Sequence, residues 1–241
     1  MSAPLAAAGG SAYWYLTRST GAMALLLLTL AIALGVVDVK RWSTPQWPRF
    51  VVDSLHRNIS LLAMVFLLLH IFTSVLDSFA SIPLIDAFIP FVGSYRPFWL
   101  GLGAVAFDLL LAVTITSLLR QRIGYASWRA IHWLTYASWP IALLHGLGTG
   151  SDVKSTWLLV LSLACVAIIA AAMLARVLTG PTGPERARLR AATLGGAGLF
   201  AVFLLLWLPS GPLGSEWARR SGTPTSLLVH SKTAAKSGSR R

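Results

Sequence analysis

Four histidines fall inside apolar runs rather than beside them. His56 and His70 bracket LHRNISLLAMVFLLLH, residues 55–70, and His132 and His145 lie in IHWLTYASWPIALLH, residues 131–145. Imidazole is a hydrogen-bonding group and a ligand for transition metals. An ionisable side chain inside hydrocarbon is costly and marks function by default. One such histidine alone is explained by a hydrogen bond across helices. Four in two matched pairs point instead to paired metal ligands. The separations are fourteen and thirteen residues, or about 21 and 20 Å along a helix.

The runs that carry these residues fix the class. Of 241 residues, 56% are hydrophobic and only 12% are charged, against about 25% charged in a typical soluble chain. Mean hydropathy is +0.70. Six spans are expected, at roughly 12–37, 51–76, 97–119, 127–148, 155–175 and 191–209. Each is long enough for a hydrocarbon core of about 30 Å, and the alternation of barrel strands is absent. The expected fold is an all-α polytopic membrane protein, a six-transmembrane-helix bundle. Its parts are a short N-terminal segment 1–11, a five-helix core 12–178, a sixth helix 190–209 and a basic, unstructured tail 210–241. The opening MSAPLAAAGGSAYWYL lacks a basic segment ahead of a short apolar one, so the first span is expected to be retained. Cys165, the single cysteine, allows no intrachain disulfide or thiolate cluster and reads as packing.

The net charge of +12 sits mostly in short loops and the tail. Lipid headgroups and membrane orientation explain it, and a nucleic-acid-binding module is excluded. Lys40, Arg41, Arg49, Arg120, Arg122, Arg129, Arg176, Arg186, Arg188 and Arg190 fall in alternate loops, with Arg57 just inside span two, whereas the others hold Arg96 and Lys154 beside Asp77, Asp86 and Asp152. The positive-inside rule then places the first set in the cytoplasm and both termini outside the plasma (inner) membrane. The basic tail runs against that rule. Loop 77–96 is semi-apolar and is expected to lie in the outer interface.

Orientation pairs the histidines. Spans two and four run the same way, so His56 lies level with His132 on the inner side and His70 level with His145 on the outer side. Each pair can flank one planar ligand, a demand that a haem iron with two axial histidines satisfies. Zinc wants about four ligands at one point, and no carboxylate or thiolate joins either pair. The bundle is therefore expected to enclose two stacked haems. Helical phase is a check: fourteen residues return within about 40° of the starting face, but thirteen miss by about 140°. Pro140 is expected to kink the fourth span and realign its histidines.

Anionic propionates need partners. Arg57 and Arg129 suit the inner haem, and equally suit positive-inside anchoring; Arg18, at the outer mouth of span one, suits the outer haem. Arg96 and Lys154 are weaker outer candidates. Asp108, near mid-depth in span three, reads as a structural polar contact or as support for redox chemistry. Phe66, Phe107, Trp133 and Trp139 read as packing. His230, in the polar tail, has no assigned role.

The segments YWYLTRSTGAMALLLLTLAIALGV, LHRNISLLAMVFLLLH and SLLRQRIGYASWRAIHWLTYASWPIALLHGLGTG together resemble the ferric reductase-like transmembrane domain family over residues 12–178. That family includes the membrane cores of NADPH oxidases and fungal ferric reductases. The resemblance implies two b-type haems stacked across the membrane and electron transfer between its faces. His56 and His132 would hold the inner haem, and His70 and His145 the outer. The family enzymes often continue into a cytosolic FAD and NAD(P)H domain, and no GxGxxG-bearing α/β unit is found here; GGAGLF in span six reads as packing. The chain is thus expected to be a haem-containing oxidoreductase component. Its donor would be a separate flavoprotein or a quinol, and its outer acceptor ferric iron, oxygen or a flavin-carrying protein. Rival readings are a single-haem anchor subunit of a redox complex and a non-redox transporter or structural membrane protein. The oligomeric state is not legible.

Overall fold

A computed structural model of the chain describes residues 12–39, 49–178 and 184–228. Segment 1–11, Lys40, Arg41, His230 and the end of the tail lie outside the described residues.

Every regular element among the described residues is helical. Helix α1 spans Ala12–Val39 and α2 spans Arg49–Leu76. A 3-10 turn, Leu84–Ala87, follows in the loop before α3, Pro97–Leu118. Pro97 is at the first helical position, where its missing N–H costs nothing. Then come α4 (Arg120–Ile123), α5 (Tyr125–His132), α6 (Thr135–Thr149), α7 (Thr156–Leu178), α8 (Pro184–Ser210) and α9 (Trp217–Arg220). Five stretches are long and apolar enough to cross a membrane: Ala12–Val36, Phe50–Leu76, Pro97–Leu118, Thr156–Leu178 and Arg190–Ser210. This is a multi-pass membrane protein. Large apolar side chains stay exposed along α2, among them Leu61, Val65, Leu68 and Phe72, as lipid contact requires.

The fourth expected span differs. Residues 127–148 do not form one long helix but the end of α5 and most of α6, separated at Trp133 and Leu134. Trp133 (φ −63°, ψ −21°) and Leu134 (φ −61°, ψ −20°) have 3-10 geometry. The Leu134 N–H reaches the Ile131 carbonyl at 2.9 Å and the Tyr136 N–H reaches Trp133 at 3.1 Å. The hydroxyl of Thr135 donates to the His132 carbonyl at 2.7 Å, satisfying an acceptor at the end of α5. Pro140 sits inside α6, so the interruption falls ahead of the proline expected to kink this span.

The chain divides into two compact units. The first comprises residues 1–24, 64–151 and 216–241. Its core includes the contact of α3 with α6, and it buries Ala104, Phe107, Trp139, Leu143 and Leu147. Small residues allow the close approach: at Gly148 on α6 a Cβ would lie 2.2 Å from the Trp99 ring on α3. The second comprises residues 25–63 and 152–215. There α7 packs on α8, and Leu28, Thr29, Ile32, Val36 and Cys165 are buried.

Residues 216–228, which composition assigned to an unstructured tail, carry α9 and a set of hydrogen bonds in the first unit. Trp217 gives this polar segment an apolar surface to bury.

Candidate haem centre

The histidine pair expected on the outer side lies wholly within the first unit. His70, near the end of α2, and His145, on α6, place their ring centroids 6.2 Å apart with planes at 82°. The imidazole Nδ1–H of His70 donates to the Thr17 carbonyl of α1 at 2.8 Å. That of His145 donates to the Trp99 carbonyl of α3 at 2.9 Å. A carbonyl can only accept, so both rings hold their proton on Nδ1 and leave Nε2 unprotonated. Neither Nε2 has a hydrogen-bond partner among the described residues, and both rings are half-buried.

Each ring rests on a glycine of the neighbouring helix. A Cβ at Gly21 would lie 2.8 Å from His70 Nδ1, and one at Gly103 would lie 2.5 Å from His145 Nδ1. Only a residue without Cβ lets the imidazole lie that close to the backbone.

The separation of the two rings is compatible with two imidazoles sharing one metal ion. A metal–imidazole nitrogen bond is about 2.0–2.1 Å and the nitrogen lies about 1.1 Å from the ring centroid, so two imidazoles on opposite sides of one metal have centroids about 6.3 Å apart. Among the described residues no group of three or more His, Cys, Asp or Glu side chains could hold a metal ion unaided. Two imidazole ligands suffice only where the remaining positions are supplied by the ligand itself.

The second unit holds the same construction around His56. Its Nδ1 meets the Ala31 carbonyl of α1 at 2.9 Å, and a Cβ at Gly35 would lie 3.3 Å from its Cε1. The acceptors Thr17 and Ala31, and the glycines Gly21 and Gly35, are each fourteen residues apart, as are His70 and His56. His132 lies in the first unit, where its ring stacks on Trp128 at 5.0 Å. The structure therefore brings His70 and His145 together, whereas His56 and His132 each belong to their own unit.

Among the expected propionate partners, Arg18 is adjacent to the carbonyl that holds His70. Its guanidinium donates to the Ser151 hydroxyl and stacks over Trp14, 3.6 Å from the ring centroid. Arg57 and Arg129 are exposed. Arg96 is only 3% exposed and commits its Nη1 to the Gly148, Thr149 and Gly150 carbonyls at 3.0–3.2 Å. It is a cap on α6. Burial lowers its pKa from the ordinary arginine value and raises that of Tyr95 beside it. Lys154 donates to the Gly214 carbonyl at 3.2 Å. Asp108 is half-buried on α3, with no hydrogen-bond or ion-pair partner among the described residues. Phe107 packs edge-on against Phe88 at 5.5 Å, Trp139 is buried, and Trp133 is exposed.

Sequence reasoning found the ligand candidates and missed what orients them: the carbonyls of Thr17, Ala31 and Trp99 and the seats Gly21, Gly35 and Gly103. One signal was available, since Gly21 and Gly35 repeat the histidine spacing on the preceding span.

Comparison with known proteins gives one family. The model for the ferric reductase like transmembrane component matches residues 20–143, a stretch that includes His56, His70 and His132 and ends just before His145. No curated protein and no solved structure matches the chain. The chain belongs to the ferric reductase-like transmembrane family.

Proposed function

We propose that this protein carries electrons across the plasma membrane through two bis-histidine b-type haems, one held by His56 and His132 and the other by His70 and His145. The observation that carries this reading is the outer pair: two imidazoles at metal-bridging separation, each with Nδ1–H tied to a backbone carbonyl. Those carbonyls fix the tautomer, hold the ring plane and raise the basicity of Nε2 toward a metal. Bound haem would supply the one-electron chemistry of its iron. The surrounding apolar helices would exclude water and keep the path at low dielectric.

Arg18 would neutralise a propionate of the outer haem, and Arg57 and Arg129 those of the inner one. Its place beside Thr17 puts Arg18 at the level of His70 along α1. The electron donor on the cytoplasmic side is a separate flavoprotein or a quinol, and the acceptor outside is ferric iron, oxygen or a flavin-carrying protein. In the first unit, Arg18 reaches Ser151, and Arg96 reaches both the end of α6 and Thr223. The start of α1 and the segment after α8 thus meet the same loops, which supports six crossings with both termini outside. The split α5–α6 stretch then makes the fourth crossing.

Pyridine haemochrome quantification on the purified chain tests the reading. Two b haems per chain are expected, with His70→Ala and His145→Ala each losing one. A single haem would favour the anchor-subunit alternative, and a chain without a Soret band would overturn the proposal.

A further inference from the structure

The orientation of His145 depends on a joint that the segment after α8 closes. Trp99 touches α6 at two levels: its backbone carbonyl accepts from His145, and its indole lies on Gly148, where a Cβ would come within 2.2 Å of the ring. Arg96, one turn earlier, starts α3 and caps the last turn of α6, where orphan carbonyls and the negative end of the helix dipole meet a cation. The two helices are thereby pinned in register at the turn that carries His145.

Residues 217–223 complete this joint. Trp217 Nε1–H donates to the Gly148 carbonyl at 3.1 Å, so that oxygen accepts from both Trp217 and Arg96 Nη1. The Trp217 ring lies 5.2 Å from that of Trp99. Thr223 Oγ1 accepts from Arg96 Nε at 2.9 Å, and the Gly222 carbonyl accepts the Arg96 backbone N–H at 3.1 Å. Gly222 adopts φ +90°, which a side chain would strain, and a Cβ there would lie 3.1 Å from Pro97. All of these residues belong to one compact unit.

We propose that Trp217 is a positioning residue for the outer haem ligand: by holding Trp99 and the last turn of α6 in register, it sets the orientation of His145. This rests on the two-haem reading above. The carbonyl–imidazole bond tunes a ligand as well as aiming it, and loss of such support costs about tenfold or more in metal affinity. A tenfold change in the relative affinity for the two oxidation states corresponds to about 59 mV for a one-electron couple.

The test uses the full chain in detergent, comparing wild type with Trp217→Phe, which keeps an aromatic ring and removes the donor, and Trp217→Ala. Haem content, the low-spin electron paramagnetic resonance signals and the two midpoint potentials are measured. The outer haem is identified as the one lost in His70→Ala. Expected is a shifted signal and potential for the outer haem alone, with Trp217→Ala also retaining it less well. Unmoved signals and potentials in both variants overturn the positioning role. So does equal loss of both haems in Trp217→Ala together with unmoved signals in Trp217→Phe, the pattern of a merely structural residue. A wild-type chain without haem overturns the two-haem reading itself, and this inference with it.

Discussion

Alanine at Gly103 would place a methyl group 2.5 Å from both Cε1 and Nδ1 of His145 and 3.0 Å from Cγ. Ordinary carbon contacts lie at about 3.5–4.0 Å, so the ring must retreat by about 1 Å. The His145 to Trp99 hydrogen bond, now 2.9 Å, then passes the limit of about 3.2 Å for a sound N–H···O bond. Gly21→Ala acts on His70 in the same way, from 2.8 Å and against a 2.8 Å bond to Thr17. Gly35→Ala meets His56 Cε1 at 3.3 Å and Nδ1 at 3.6 Å, which a shift of about 0.3 Å relieves. A methyl at Gly146, next to His145 in sequence, meets nothing within 4 Å. The expected order of damage is therefore Gly103, Gly21, Gly35, Gly146. For the first two the loss is about 10–100-fold in haem affinity, or about 1.4–2.7 kcal/mol. The assay is haem per chain after dilution and gel filtration in detergent, with circular dichroism as the check on folding. Gly146→Ala is the helix-compatible control. Full haem retention with unshifted spectra in folded Gly103→Ala and Gly21→Ala would refute the idea that these glycines seat the ligands.

The remaining predictions concern the loop before α3 and its clasp. Arg96→Met leaves the Thr149 and Gly150 carbonyls without their charged donor, so a loss of about 2–4 kcal/mol is expected, read as a lower unfolding midpoint in detergent. Arg96→Lys should recover only part of it, because an ammonium cannot reach the α6 carbonyls and Thr223 together. Asp86, in the loop before α3, is 6% exposed, and burial raises its pKa above the ordinary carboxylate value. Its neutral form is the one the folded state prefers. That contribution is complete below the unfolded pKa, about 4, and is lost as pH rises through the raised folded value. Asp86→Asn should therefore be the more stable protein at neutral pH and the flatter one in thermal melts taken from pH 4 to 8.

What could be read in the sequence follows from how few meanings certain patterns have. An apolar run of about twenty residues has one stable use, so the five long apolar stretches lie within a few residues of their expected bounds. Histidines at matched depths in such runs likewise pointed to a paired site, and His70 and His145 do lie together. The orienting carbonyls of Thr17 and Trp99 were invisible because every residue carries one. The break at Trp133 and Leu134 was hidden because neither residue type breaks a helix, and Pro140, the visible signal, lies within the following helix. Trp217 was passed over because the Ser, Gly and Arg around it set the composition of the tail.

The two sides of the candidate centre meet the problem of repeated ligands by different means. On α2 the step from His56 to His70 is close to four helical turns, so one continuous helix presents both histidines to α1. There the antiparallel neighbour repeats its carbonyl and glycine at the same interval. The step from His132 to His145 falls about 140° short of a full turn. Two residues in 3-10 geometry advance about 120° each instead of about 100°, recovering about 40° of that deficit. For both rings to serve the same side, the rest has to come from a change of axis between α5 and α6. An unbroken helix could not supply it, and the interruption falls between the two histidines, the only interval where it would correct their phase.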